Sequence, residues 1–581
     1  MEQNLSALRK RRLDQVTALK ELAACVPESP LLAPRRALPV FAMADVAKHA
    51  TVDSCWVAIN DKVYDLTQWL PKHPGGYNPI LARAGTNCTD VFYAFHPAEV
   101  RSRINARQVG VLDKSADDEL SRDYRALHEE MIQQGFNEVM PLWHYGRTLV
   151  ICTLLAVAVG LVVYSPDKPW MQYLGALVLA GFWQQLAFVG HDLGHNSVTH
   201  DRQTDFLYGL AIGPLLTGIS IGWWKNSHNT HHVATNHLEY AFTLVSCSLT
   251  PRTPPPPPPF STCHSYLHLL VPPAIMFIVS SIVLLSLPYP LRPPGVMANE
   301  CPSNMQLTIG TCSAGTQFGI NPDISLISPL LHFLNVPCEQ YAFCARRHDP
   351  DVQHMPFMAI SERLASGKLW STYHQKIMEL DLLAKFLIPF QHYLYFPIMF
   401  FARFFLYVQS MIYLITKPAV EHRSKELVGM GLFFLWVATL ASYVEGPWMR
   451  LGWVLLCHGA AGILHVQITL SHFCMDTHDN SKGDAIHKES FVRSQLATSL
   501  DIECPTWMDF FHGGLQFQVI HHLFPRVPRY RLRELRPRVL ELCRKHGVKY
   551  HSCGFLEGNK RTIATLRAAS KRSQYLHIPM G

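Results

Sequence analysis

Charge is scarce in this chain: only 16% of its 581 residues are Asp, Glu, Lys or Arg, against about a quarter in soluble domains. That poverty argues against an ordinary cytosolic enzyme. Dense basic clusters are missing too, and a net charge of +7, from 51 Lys and Arg against 44 Asp and Glu, is small for the length, so no nucleic-acid partner is expected. The 15 cysteines include no CxxC pair, and the N-terminal MEQNLSALRKRRLDQ lacks the apolar core of a secretory signal. The polar parts are therefore expected to face a reducing cytosol. There is no HExxH and no phosphate-gripping glycine loop, which removes the zinc-protease and kinase arrangements.

What the chain does have is apolar sequence, 48% of it, with a mean hydropathy of only +0.06. Polar and apolar parts must then be segregated, and a soluble piece joined to a membrane piece is expected. Residues 1–39 read as a flexible leader. Residues 40–114 have a compact soluble pattern, with short strands in CWVAIN (Cys55–Asn60) and KVYDLT (Lys62–Thr67) and a turn at HPGG. Residues 115–148 read as a charged linker helix. Apolar stretches follow at about 149–164, 170–190, 206–224, 385–416, 428–446 and 450–471, most near the ~20 residues that cross a bilayer core.

Histidines number 31, and clusters of them flank the apolar stretches at 191–195, 228–232 and 521–522. If these share one site they lie on one membrane face, so an even number of crossings separates each pair. Parity makes 149–164 with 170–190 one hairpin and 428–446 with 450–471 another. It leaves 206–224 buried or interfacial and 385–416 interfacial, so four spans are expected. The basic stretch Arg526–Lys549 belongs on the cytosolic side. The membrane part is thus 149–240 and 348–556, with a tail at 557–581. Between its halves, 241–347 carries Pro254–Pro259 and six cysteines. It reads either as a proline-rich linker for a partner or as a translated intron, and its length favours the intron.

Two groups of residues carry chemistry. His73-Pro74-Gly75-Gly76 and His96-Pro97 supply two imidazoles within one small domain, and the glycines let the backbone turn beside a flat cofactor. On the two histidines alone, His73 capping a turn and His96 lying at the surface is the favoured reading, and only the surrounding sequence reverses it. Two axial imidazoles would saturate a haem iron and leave an electron carrier. Without a CxxCH, that haem b would be non-covalent. The second group is His191 and His195 (i, i+4), His228, His231 and His232 (i, i+3, i+4), and Gln518, His521 and His522 with the same spacing. His472 lies just past the last apolar stretch. Eight imidazoles and an amide exceed one zinc and include no carboxylate for calcium or magnesium. Two irons fit best, because an upstream electron carrier is of use only to a redox metal. Asp192, Asn229 and His512 are candidates to orient the ligands, or equally ordinary caps and surface contacts.

WVAINDKVYDLTQWLPKHPGG resembles the cytochrome b5 domain over about residues 40–113, and that likeness makes His73 and His96 the axial ligands. HDLGH, HNTHH and QVIHH behind such a domain resemble the front-end desaturases of membrane lipids, with Gln518 as the hallmark of the third box. The resemblance implies an α+β cytochrome b5-like haem domain fused to an all-α integral membrane domain of about four spans under a cytosolic helical cap. It also implies a di-iron centre that uses O2 to remove two hydrogens from a lipid chain. Electrons would come from NADH through a separate cytochrome b5 reductase, at the endoplasmic reticulum membrane. HHVATNHLE, HDPDVQHMPFMAIS and FHGGLQFQ are most similar to fungal-type Δ8 sphingolipid desaturases, which act on ceramides. Ile520 departs from the usual glutamate of the third box. The rivals are a Δ6- or Δ5-type fatty-acyl desaturase, a haem-fused lipid hydroxylase, and a membrane-anchored haem electron carrier with a dead second site.

Overall fold

The computed structural model describes residues 38–115, 117–238, 358–366, 369–371, 376–378, 382–417, 420–479 and 490–575. The leader at 1–37 and the proline-rich segment 241–347 lie outside the described residues.

The N-terminal unit is a four-stranded sheet in the order β1-β4-β3-β2, made of β1 (Val40–Phe41), β2 (Trp56–Ile59), β3 (Lys62–Asp65) and β4 (Gln108–Leu112). Val57 pairs with Tyr64 and Val63 with Gly110. Asn60 and Asp61, at φ 50° and 58°, make the two-residue turn that matches the twist of a hairpin. Val57, Ile59, Tyr64, Leu66, Leu70 and Phe92 form its core. Short helices close it, among them α1 (Asn78–Leu81) and α2 (Thr89–Phe95).

The linker is not one helix. It forms α3 (Glu119–Gln133), capped by Asp118, and stops at Gly135, whose φ of +77° suits the left-handed turn after a helix. The next helix, α4 (Pro141–Val163), already begins at Pro141. Arg125 on α3 pairs with Asp90 of the N-terminal unit and with Asp117 just ahead of its own helix. On its other side Tyr124 Oη donates to Leu523 O at 2.6 Å, so α3 is a wedge between the two domains.

Among the described residues, five helices are long and apolar enough to cross a membrane. The first is α4. Then come α5 (Pro169–Gly194), a helix whose apolar part starts at Leu383 and contains α8 (Gln391–Thr416), α9 (Arg423–Ser442), and the pair α10 (Pro447–Ala460) with α11 (Ile463–Leu470). Between α5 and α8, α6 (Arg202–Leu210) runs into a π-turn to Thr217, and the chain then bends by 107° into α7 (Ile221–Val233). The 206–224 stretch therefore turns back on itself. The turns of two hairpins, α4–α5 and α9–α10, meet at one end, where Gln172 Nε2 donates to Tyr443 O at 3.0 Å. Ala158, Ala176, Leu179, Trp183, Phe433 and Trp453 are the buried core between them.

Length alone would make α8 a fifth crossing, but its contacts do not. Near its start Tyr395 Oη meets Thr469 Oγ1 at 2.8 Å, one residue from the end of α11. Near its end Ser410 Oγ accepts from Ser220 N at 3.0 Å, beside the first turn of α9, where Glu426 accepts from Gly222 N. Both ends of α8 thus lie on the side where α5 and α11 finish, away from the hairpin turns. It runs along the inner face, with Arg403 buried under Trp183 and donating to Thr217 O at 2.9 Å.

Above these lie α12 (Phe491–Thr498), α13 (Gln518–Leu523), α14 (Leu532–Lys545) and α15 (Phe555–Tyr575). Residues 557–575 of the tail belong to α15, where Leu566 is fully buried and accepts a 2.8 Å bond from Gln391.

Candidate metal centres

His73 and His96 each follow a helix end in extended conformation, which turns both rings toward a common gap. Their centroids are 6.1 Å apart. Two metal–nitrogen bonds of about 2.0 Å would put each centroid roughly 3 Å from a shared metal, so the spacing fits an iron between them. Each Nδ1 donates to a backbone carbonyl, His73 to Gly76 O at 2.7 Å and His96 to Phe92 O at 3.1 Å, which leaves the Nε2 lone pairs for the metal. Burial lowers the His73 pKa. Burial, and then the neighbouring His73, pushes His96 down to about 3, so the ligating neutral form is the stable one. A Cβ on Gly75 would lie 2.9 Å from His73 Cε1, which is why glycine stands there.

The remaining eight histidines come together where α5, α7, α11 and α13 end. His191, His195, His228, His232 and His521 form one group with ligand atoms within 4.8 Å of one another, and His231, His472 and His522 form a second. Nε2 of His232 lies 3.1 Å from Nε2 of both His228 and His521. Nε2 of His191 and both nitrogens of His195 are buried with no hydrogen-bond partner among the described residues. Buried polar atoms without partners are costly unless a ligand completes them. Burial, followed by neighbouring imidazoles, holds His195, His232, His521 and His522 well below the ordinary imidazole pKa. Gln518 Nε2 sits 3.2 Å from His522 Nε2, and its carboxamide oxygen is buried without a partner among the described residues. Neutral nitrogen donors in two adjacent sets suit a pair of transition metals better than calcium or magnesium.

A second layer orients the rings. His522 Nδ1 donates to Gln495 Oε1 at 2.7 Å and His472 Nδ1 to Thr498 O at 3.1 Å. Asp192 lies 3.6 Å from His191 Nδ1 and is held by Arg529 Nε at 2.5 Å. Of the proposed orienting residues, Asp192 alone touches a ligand ring in this way. Asn229 instead points to Gly75 O of the haem loop at 3.5 Å, and His512 bonds to Gln467. Gln495 and Arg529 carry no motif and went unnoticed in the sequence. Gly218-Ile219-Ser220-Ile221-Gly222 has the spacing of a serine-hydrolase elbow, but Ser220 follows a helix and caps α7, its Oγ accepting from Trp223 N at 3.0 Å.

A pair of imidazoles spaced for a haem, set beside eight clustered imidazoles able to hold metal at the head of two apolar hairpins, fits the class of membrane oxidoreductases. Comparison with known proteins gives the family. The fatty acid desaturase family matches residues 168–294 and 341–554, and the cytochrome b5-like heme/steroid binding domain matches 42–124. The chain belongs to the fatty acid desaturase family and is a desaturase with a fused cytochrome b5-like domain. It is 30% identical to a Delta(8)-fatty-acid desaturase of Helianthus annuus over 92% of both chains. It is 32% identical to a Delta 8-(E)-sphingolipid desaturase of Emericella nidulans over 80% of this chain and 65% of that one. An acyl-lipid (9-3)-desaturase of Borago officinalis is 29% identical over 92% and 94%.

Proposed function

We propose that this enzyme introduces the Δ8 double bond into the sphingoid base of ceramides, using O2, at the cytosolic face of the endoplasmic reticulum membrane. The observation that carries the reading is the division of eight imidazoles into groups of five and three beside a bis-imidazole haem cradle. His191, His195, His228, His231, His232, His472, His521 and His522, with Gln518, would hold two irons, and His73 and His96 the haem. Bound there, the irons would supply the oxidant that an unactivated C–H bond demands, and the haem a one-electron carrier. The chain's own residues keep the imidazoles neutral and aimed, exclude water by burial, and end two apolar hairpins at the cluster so that a lipid chain can approach from the bilayer. Electrons would enter from NADH through a separate cytochrome b5 reductase.

The sphingolipid assignment is supported by the activity for which the Emericella relative is named. The Helianthus and Borago relatives, named for fatty-acid and acyl-lipid substrates, favour the fatty-acyl reading as its rival. Expression in a host without the activity, with and without residues 241–347, followed by lipid profiling, separates them. Sphingoid bases that lose one hydrogen from each of carbons eight and nine support the proposal. A new bond in fatty acids alone refutes the substrate, a gain of one oxygen indicates a hydroxylase, and a b-type spectrum without non-haem iron indicates an electron carrier.

A further inference from the structure

The helix that carries three of the eight histidines ends against the haem domain. Val233 is the last residue of α7, so its carbonyl is one of the four that a helix leaves without an intrahelical partner. Arg83, two residues past α1, is 4% exposed and donates from Nε to Val233 O at 2.9 Å across 150 residues of sequence. A cation on a helix C-terminus also meets the negative end of its dipole. The preceding carbonyls are satisfied from within the desaturase domain: His232 O by Gln495 Nε2 at 3.0 Å and His231 O by Thr235 Oγ1 at 2.8 Å. Around this clamp Ala82 of the haem domain packs with Val233 and Ala234, and Phe95 packs against them. Phe95 presents its ring edge-on to His232 at 5.9 Å, while Phe92 on the same short helix stacks on His96 at 4.6 Å.

We propose that Arg83 is a positioning residue for the non-haem centre: the haem domain clamps the end of α7 and so fixes His228, His231 and His232. The fused domain is then a structural wall of the second centre, and Phe95 is the contact between the helix behind His96 and the ring of His232. The proposal rests on the two-metal reading above.

The test uses full-length holo-protein as wild type, Arg83→Ala and Arg83→Lys. Three quantities are read: haem per protein, non-haem iron retained against a ferrous chelator, and amide hydrogen exchange over residues 228–237. Arg83→Ala is expected to keep its haem, to lose non-haem iron with roughly tenfold weaker retention, the scale on which such supporting contacts act, and to exchange faster at the end of α7. Arg83→Lys, which still offers a donor there, is expected to fall between. Unchanged iron retention and exchange in Arg83→Ala would overturn the proposal. So would equal loss of haem and iron, which would place Arg83 in the folding of the haem domain. If wild type holds no non-haem iron, the two-metal reading fails, and faster exchange in Arg83→Ala still establishes the clamp.

Discussion

Arg529 and Asp192 offer the sharpest energetic test of how the centre is held. Arg529 Nε meets Asp192 Oδ2 at 2.5 Å, and Nη1 donates to Gly513 O at 2.9 Å. The side chains are only 6% and 11% exposed. Removing one member of such a pair leaves a buried charge without compensation, at a cost of about 3–5 kcal/mol, whereas replacing both with well-packed apolar residues of similar volume costs little. Arg529→Met should therefore destabilise the protein by about 3–5 kcal/mol, and Asp192→Leu in addition should restore most of that. The assay is a double-mutant cycle on unfolding of the detergent-solubilised protein, with non-haem metal per protein followed in parallel, because Asp192 is beside the first-box His191. A coupling of about 2 kcal/mol or more is expected for residues in direct contact within one network. Additive effects, or a double variant worse than either single one, would show that the two residues do not act as a compensating pair.

Other outcomes follow from the same geometry. Gln495→Ala removes the acceptor of His522 Nδ1–H and should weaken non-haem metal binding about 10–100-fold with the haem spectrum unchanged; metal titration with absorbance at the haem band checks both. His73→Ala should abolish haem and turnover, whereas His522→Ala should abolish turnover and leave the haem. Burial raises the Asp501 pKa to about 7, against the bonds from Tyr550 and Val519 that lower it. A carboxyl raised in the fold contributes stability below its unfolded pKa near 4, and loses it as pH rises toward 7. Asp501→Asn should flatten that decline, measured as unfolding midpoint against pH.

The parts of this molecule that are legible in the sequence are those with local periodicity. The short strand runs through Val57 and Val63, with the turn at HPGG, announce the sheet, and i, i+3, i+4 spacing puts His228, His231 and His232 on one side of α7, whose inward face the fold then presents to His521. Hydropathy finds α8 but cannot tell a crossing from a helix lying along the inner face, because Tyr395 and Ser410 reveal its course only through partners in α11 and before α7. The same limit hides Gln495, Arg529 and Arg83, whose partners are 27, 337 and 150 residues away. A polar residue in a helix or loop carries no periodic signal of what it will meet. Asn229 and His512 were attractive by proximity in sequence, and each turned toward another partner.

If the eight clustered imidazoles hold a pair of redox metals that draw electrons from the haem, metal analysis of purified full-length protein, with iron partitioned into haem and non-haem pools, will show it. Two non-haem irons per haem are predicted, with the non-haem pool lost in His522→Ala and the haem retained. Zinc in place of iron, or a haem protein with no second metal, would contradict it.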